Sequence, residues 1–296
     1  MKEKPFSKYQ ILANAVMIIW TLAIILPFIL LFMSSITDEN TLVANGYSFF
    51  PKKFSLASYS YIIKSGGQIL KAYGVSIGVT VVGTLLNVLL SALMAYPLSV
   101  KNLPGRNVMM FFVFFTMLFN GGIVPSYIMW TGTFHIKDTI FAQLLPNFLL
   151  SAWNVMMLRT YFTTSIPDGL YEAAEIDGAS QFTIFWKIVL PLGKPILVTM
   201  GTFAGLAYWN DWTNGLYYIV KNTGLYNVQN LLNQMVQNIQ FLTQSSNSNV
   251  TAAASTIPAT GIQMAIAFVA ILPIMLIFPS FQKYYAKGIA LGAVKG

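Results

Sequence analysis

Four of the nine acidic residues in this 296-residue chain fall within ten positions of one another: Asp168, Glu172, Glu175 and Asp177. They lie in IPDGLYEAAEIDGAS, residues 166–180, inside a chain that is 56% hydrophobic and only 9% charged. Carboxylates concentrated on one short polar piece can pair with the basic groups of a partner. Nothing in the sequence equips them for catalysis. No G-x-x-x-x-G-K-[ST] stretch is present to cradle a nucleotide phosphate, and no H-E-x-x-H. There is no cysteine, which removes disulfides and thiolate metal sites, and the one histidine, His135, falls in a loop.

A second set of residues could do a quieter chemistry. Asn87, Asn120, Asn147, Asn154, Asn210 and Gln263 are uncharged amides within or near apolar runs, beside Trp153, Tyr208 and Trp209. Amides can hydrogen-bond sugar hydroxyls, and aromatic faces suit the apolar C–H surfaces of a sugar ring. The same amides can instead bridge helices, each contributing about 1 kcal/mol or less. Both readings stay open from the sequence.

The elements that must carry these residues follow from hydropathy. Soluble domains hold roughly 25% charged residues, far more than this chain. The intervals 9–37, 72–100, 107–134 and 139–158 contain no charged residue and no histidine. Each supplies the ~20 apolar residues a membrane-spanning helix needs. The expected architecture is an all-α membrane protein, a single transmembrane domain over 1–296, with six spans. They lie at about 12–36, 72–99, 108–130, 139–159, 195–219 and 257–281. With the N- and C-termini in the cytoplasm, eleven of the seventeen Lys and Arg residues face inward, including Lys101, Arg106, Arg159, Lys187 and Lys194. The positive-inside rule asks for that bias. The net charge of +8 therefore reads as topology rather than as a nucleic-acid surface. No span holds a central carboxylate of the kind a proton-coupled carrier commonly uses, and Asp211 sits towards the outer end of the fifth. The basic N-terminus leads into an apolar run too long for a cleaved signal, so the first span is expected to stay.

Details of the spans refine this picture. Gly74, Gly78 and Gly83 would let a neighbouring helix approach the second span closely. Pro104-Gly105 in KNLPGR makes a tight inside turn, and NGGIVP at 120–125 breaks or kinks the third span. Outside, Val228, Leu231, Leu232, Met235, Val236 and Ile239 recur at helical spacing and predict an amphipathic helix with an Asn/Gln face. The acidic island itself reads as two short helices in a loop at about 165–191. Ser165 would cap the first, which starts at Pro167 and stops at Asp177-Gly178. The second starts near Ser180 and is broken by Pro191.

The order E-A-A, three residues, G, nine residues, I-x-L-P is met by Glu172-Ala173-Ala174, Gly178, Ile188, Leu190 and Pro191. This resembles the cytoplasmic EAA loop of permease subunits of ATP-binding-cassette importers. YPLSVKNLPGRN at 96–107, TMLFNGGIVPSY at 116–127, LRTYF at 158–162, YWNDW at 208–212 and the ending KGIALGAVKG narrow the resemblance. It is to the shorter, six-span permease of carbohydrate importers, in the subgroup for multiple sugars and complex polysaccharide fragments.

The resemblance implies a multi-pass subunit of the bacterial cytoplasmic membrane that is not an enzyme. Its partners would be a second, homologous permease, two ATPase subunits and an extracytoplasmic solute-binding protein, with an oligosaccharide as cargo. ATP and Mg would bind the ATPase subunits, leaving this chain without a cofactor. Glu172 would pair with a basic ATPase residue, Ala173 and Ala174 would leave room for close approach, Gly178 would make the elbow, and Asp177 would cap or orient the turn. Leu190 and Pro191 would complete the motif. The tail residues Val294, Lys295 and Gly296 would reach between the ATPases, and a loop at about 243–256 would enter the binding protein. Competing readings are an importer permease for peptide, amino acid or metal chelate, a stand-alone secondary carrier, and a non-transporting scaffold.

Overall fold

The computed structural model describes residues 8–64, 66–244 and 259–293, and the tail residues Val294, Lys295 and Gly296 and most of the loop at 243–256 lie outside them. Among the described residues the chain is helical throughout, apart from an isolated bridge between Thr37 and Phe54. Three helices are long and apolar enough to cross a bilayer, in Lys8–Ser35, Gly67–Ser99 and Thr260–Ile277, and two bent helix pairs raise the number to five. The chain divides into two units.

The first unit comprises 1–69 and 232–273. Helix α1 (Lys8–Ser35) is apolar on every side, and no residue of its 18-residue apolar window is buried. A helix hydrophobic all round needs lipid or another protein around it. At its end Ser35 Oγ meets Tyr59 Oη at 2.8 Å. The segment that follows folds into α2 (Glu39–Asn45) and α3 (Ala57–Lys64). Glu39 reaches 221 residues along the chain. Its Oε1 accepts from Thr260 N at 2.8 Å and its Oε2 from Gly261 N at 2.9 Å, at the start of α15 (Ala259–Ala293). The carboxylate thus satisfies two of the amide donors that a helix N-terminus leaves unpaired. Gly261 is required there, since a Cβ would stand 2.4 Å from Ser58 Oγ.

The second unit comprises 70–231 and 274–296. Its core joins α4 (Gly66–Ser99), α5 (Arg106–Leu118) and α8 (Ala152–Ser165) through Ala92, Ala95, Leu98, Val113, Val155, Leu158 and Phe162. Of Gly74, Gly78 and Gly83 on α4, only Gly83 meets a neighbour closely: a Cβ there would fall 2.4 Å from the Tyr208 ring, whereas Gly74 and Gly78 have open space. Tyr208 belongs to α12 (Lys194–Asn210), and its hydroxyl donates to the Leu144 carbonyl at 2.9 Å.

The break expected at NGGIVP is present, and two further spans are interrupted. The third becomes α5 and a second piece, α6 (Ile123–Ile128) with a π turn over Met129–Thr133, meeting at 109°. Gly122 at φ 86° allows that bend. The helix expected over 139–159 is interrupted. Only α7 (Phe141–Leu144) forms before Pro146 and Asn147, the latter at φ 68°, and α8 begins at Ala152. Pro146 lacks the amide hydrogen that would continue the helix. The fifth stops at Asn210 and resumes as α13 (Thr213–Tyr218). The amphipathic helix forms as α14 (Val228–Gln244).

Candidate coupling elbow

The acidic island folds as a helical elbow. Helix α9 (Asp168–Ile176) starts one residue later than expected, after Pro167 at φ −62° and ψ 136°. Ser165 does not cap it, because Ser165 is the last residue of α8 and Pro167 takes the capping position. The end matches the expectation. Gly178 adopts φ 77°, with Ala179 N donating to Ala174 O at 2.9 Å and Gly178 N to Glu175 O at 3.0 Å. This paired closure of the last turn uses a left-handed residue where glycine carries no Cβ penalty.

Ser180 then caps α10 (Gln181–Ile184), its Oγ accepting from Thr183 N at 3.3 Å. A π turn follows over Phe185–Val189, leading into α11 (Leu190–Leu192). Pro191 does not break the chain, as the sequence suggested; the 79° bend lies between Leu192 and Lys194. Proline cannot donate to the carbonyl four residues back, and its ring crowds it, so the preceding turn widens instead of ending. At Gly193 a Cβ would lie 2.8 Å from both the Phe162 ring and the Val189 carbonyl, so the sharp bend needs glycine.

One side of the elbow is fastened to the core of its unit. Ala174, Ile184, Phe185 and Val189 are buried with Tyr96 and Phe162. Tyr96 donates to Gln181 Oε1, and Gln181 Nε2 donates to Glu175 Oε1 at 2.8 Å. Lys101, in the tight turn after α4, pairs with Asp168. Tyr171 stacks on Tyr96, and burial, with Tyr96 beside it, pushes its phenol up to about 12. It therefore stays neutral at physiological pH. The opposite side is bare. Glu172, Ala173, Asp177 and Gly178 are exposed, together with Ile176 at 86% and Phe182 at 68%. Of the sequence-predicted residues, Ala174 thus serves the inner face, Leu190 is half-buried and Pro191 is exposed. A rigid elbow that presents carboxylates and bare apolar side chains from an anchored base has the chemistry of a docking surface.

Four of the amides expected along a sugar path are engaged within the second unit. Asn154 Nδ2 donates to Asn87 Oδ1 at 2.7 Å, and Asn87 Nδ2 to the Phe148 carbonyl at 2.6 Å. Asn147 Nδ2 donates to Asn214 Oδ1 at 3.2 Å. Asn120 Oδ1 accepts from Gly122 N at 2.8 Å and shapes its own bend. Tyr208 and Trp209 are buried, with Tyr73 against Trp209, whereas Trp153 and Asn210 are exposed and Gln263 is half-buried in the first unit.

Sequence reasoning missed a polar knot around Asp211. Its Oδ1 accepts from Thr213 N at 3.0 Å, from Thr213 Oγ1 at 2.8 Å and from Asn214 N at 3.3 Å. Asn227 Nδ2 donates to the Asp211 carbonyl at 2.6 Å, Asn230 Nδ2 to the Trp212 carbonyl, and Gln143 Nε2 to Asn230 Oδ1 at 3.1 Å. The knot holds α13 and the start of α14 where α12 ends. The Asn227-x-x-Asn230 spacing at the mouth of an amphipathic helix was its one sequence signal.

Comparison with known proteins agrees with this geometry. Protein LplC of Bacillus subtilis (strain 168) is 36% identical over 272 residues, covering 92% of this chain and 90% of that protein. The polygalacturonan/rhamnogalacturonan transport system permease protein YtcP of the same organism is 36% identical over 288 residues, covering 97% and 98%. A solved bacterial ABC transporter involved in the import of the acidic polysaccharide alginate contains a chain with a TM-score of 0.80 and 26% identity. The match covers 95% of this chain and all of that one. The family model described as binding-protein-dependent transport system inner membrane component matches residues 72–291, which include the whole elbow. The chain belongs to that family of inner-membrane transport components, and it is a transport subunit rather than an enzyme.

Proposed function

We propose that this chain is one permease half of an ATP-driven, binding-protein-dependent oligosaccharide importer, and that the elbow at 165–191 is where an ATPase subunit grips it. The observation that carries the reading is the two-sidedness of the elbow: Ala174 and Phe185 locked into the core, Glu172, Ala173 and Ile176 bare. Glu172 pairs with a basic ATPase residue, and Ala173 admits close approach. Gly178, with Asp177 before it, fixes the angle between α9 and α10. Leu190 and Pro191 carry the elbow's movement into α12 through the π turn. ATP and Mg bind the ATPase subunits and not this chain. With the interrupted stretch of α7 and α8 counted as a crossing beside the five candidate spans, this reading has six crossings and puts the elbow and both termini in the cytoplasm. Val294, Lys295 and Gly296 serve this reading as ATPase contacts, and the 243–256 segment as the contact for the binding protein.

Two features support a carbohydrate cargo over peptide or amino acid. One relative is named for polygalacturonan and rhamnogalacturonan transport, and the similar structure is an alginate importer. The uncovered apolar window of α1 supports a second permease beside it, with lipid around the rest. Because Asn87 and Asn154 are buried and bonded to each other, sugar contact from this half falls to exposed groups such as Asn120, Asn147, Trp153 and Asn210.

The test is affinity purification of the tagged chain in mild detergent beside a Glu172→Lys variant, followed by uptake of labelled oligogalacturonides. A second permease and an ATPase should accompany the wild type, and the variant should lose the ATPase and uptake together. A chain that came out alone and transported solute without an ATPase would sink the reading.

A further inference from the structure

The second unit carries an apolar groove of about 490 Å³ between α4, α5 and α8, lined by Met94, Pro97, Met109, Phe112 and Val155 among others. Two arginines stand at one end of it. Arg106 opens α5, three and seven residues before Met109 and Val113, and so heads the stripe that lines the groove. Arg159 lies four residues after Val155 on α8 and heads the facing stripe. Its Nε donates at 3.2 Å to the carbonyl of Leu98, itself a groove residue.

The pair lacks a counter-charge. The two guanidinium groups are within electrostatic reach of each other. Among the described residues the ion pairs are Lys53 with Asp38 and Lys101 with Asp168, so neither arginine has a carboxylate. Arg106 Nε is buried with no hydrogen-bond partner. Two like charges partly withdrawn from water are unfavourable unless an anion joins them, and a phosphate diester presents oxygens that guanidinium groups bind in paired fashion. The apolar groove below has no use for a free phosphate, but it suits an acyl chain.

We propose that Arg106, Arg159 and the groove beneath them form a binding site for one anionic phospholipid, its phosphate between the two guanidinium groups and an acyl chain against Met109 and Phe112. Basic pockets between spanning helices take such headgroups. Phosphatidylcholine would bring a quaternary ammonium beside its phosphate, a third cation next to the two guanidinium groups, whereas phosphatidylglycerol keeps a net negative charge, so the site favours phosphatidylglycerol. This goes beyond the transport reading and rests only on the chain being a membrane protein.

The test is native mass spectrometry of the full chain, with whatever subunits accompany it, after delipidation and titration with phosphatidylglycerol. Wild type should retain one molecule per chain in preference to phosphatidylcholine, and neither inorganic phosphate nor glycerophosphoglycerol should displace it. Arg106→Gln with Arg159→Gln should lower retention roughly thirtyfold, the effect expected of removing two headgroup-facing cations. Arg106→Lys with Arg159→Lys keeps both charges and should keep most of the lipid, which separates charge from folding. Met109→Trp should reduce retention with both arginines intact, and Lys64→Gln with Lys71→Gln should change nothing. Full retention by the glutamine pair would overturn the proposal. So would displacement by glycerophosphoglycerol, which would leave a phosphate site without an acyl groove. No ATP, sugar or uptake enters this readout, so its failure and that of the transport reading are separate events.

Discussion

Gly178 and Asp138 show how much single backbone positions carry in this chain. Gly178 runs at φ 77°, and an L-residue held there costs about 1–2 kcal/mol. Gly178→Ala should loosen the α9–α10 angle by about that much, so that ATPase co-purification and uptake fall while the chain still inserts. Unchanged uptake would remove the elbow angle from the coupling. Asp138 is a left-handed residue at φ 58° whose Oδ1 accepts from three successive amides, Val220 N at 2.7 Å, Lys221 N at 2.8 Å and Asn222 N at 3.2 Å. Those backbone donors, chiefly the Lys221 amide, hold its carboxyl below the usual aspartate range. A carboxylate with a depressed folded pKa contributes stability that is present above the unfolded value, about 3.9, and lost as pH falls through the lower folded value. Hydrogen exchange should therefore find the 220–222 amides protected at neutral pH and freed only in acid below that range. Asp138→Asn should abolish the pH dependence of those amides; if it persists, another group holds them.

Helices in this protein are shaped by how they end and where they touch. Gly83 lets α4 meet the Tyr208 ring of α12 at a distance no side chain would permit. Gly83→Ala should overpack this contact and lower stability by about 1–3 kcal/mol, visible as a drop in the thermal midpoint in detergent. Gly74→Ala, with open space around it, should leave the midpoint unmoved. The π turn at Phe185–Val189 belongs to the same scale. Pro191→Ala restores the missing amide hydrogen, so the turn can tighten to α geometry and rotate the elbow by roughly 100° per residue of register. The variant should remain in the membrane with uptake lost, whereas uptake at the wild-type rate would mean that the wide turn has no part in coupling.

For the whole molecule, the decisive feature is what the chain leaves uncovered. The apolar window of α1 buries nothing against the rest of the chain, and the elbow shows Ile176, Phe182 and Glu172 to its surroundings. In the first unit, Glu39 holds the start of α15 to α2 from 221 residues away. Glu39→Ala should unpair two helix-start amides and cost about 1–2 kcal/mol, seen as a lower thermal midpoint and faster exchange at Thr260 and Gly261.

Composition and spacing alone determined that this is an all-helical membrane protein, because a chain with 9% charge cannot bury its apolar surface in water. They also determined the elbow: the E-A-A…G spacing is local chemistry, so Gly178 and a helix start near Ser180 were legible without any fold, whereas the cap assigned to Ser165 was not, because α8 runs on to that residue. The bend at Gly122 was announced by NGGIVP, but the interruption of the fourth span was not legible, since a run without charge says nothing about where Pro146 turns the helix within it. Nor could sequence say which amides are spoken for. Asn87 meets Asn154 across 67 residues, and Glu39 meets Thr260 across 221. Arg106 and Arg159 counted only towards topology until α5 and α8 brought them together at the end of one groove. Partners of that kind are chosen by tertiary packing, because a side chain's donors and acceptors carry no record of how far along the chain their complement lies.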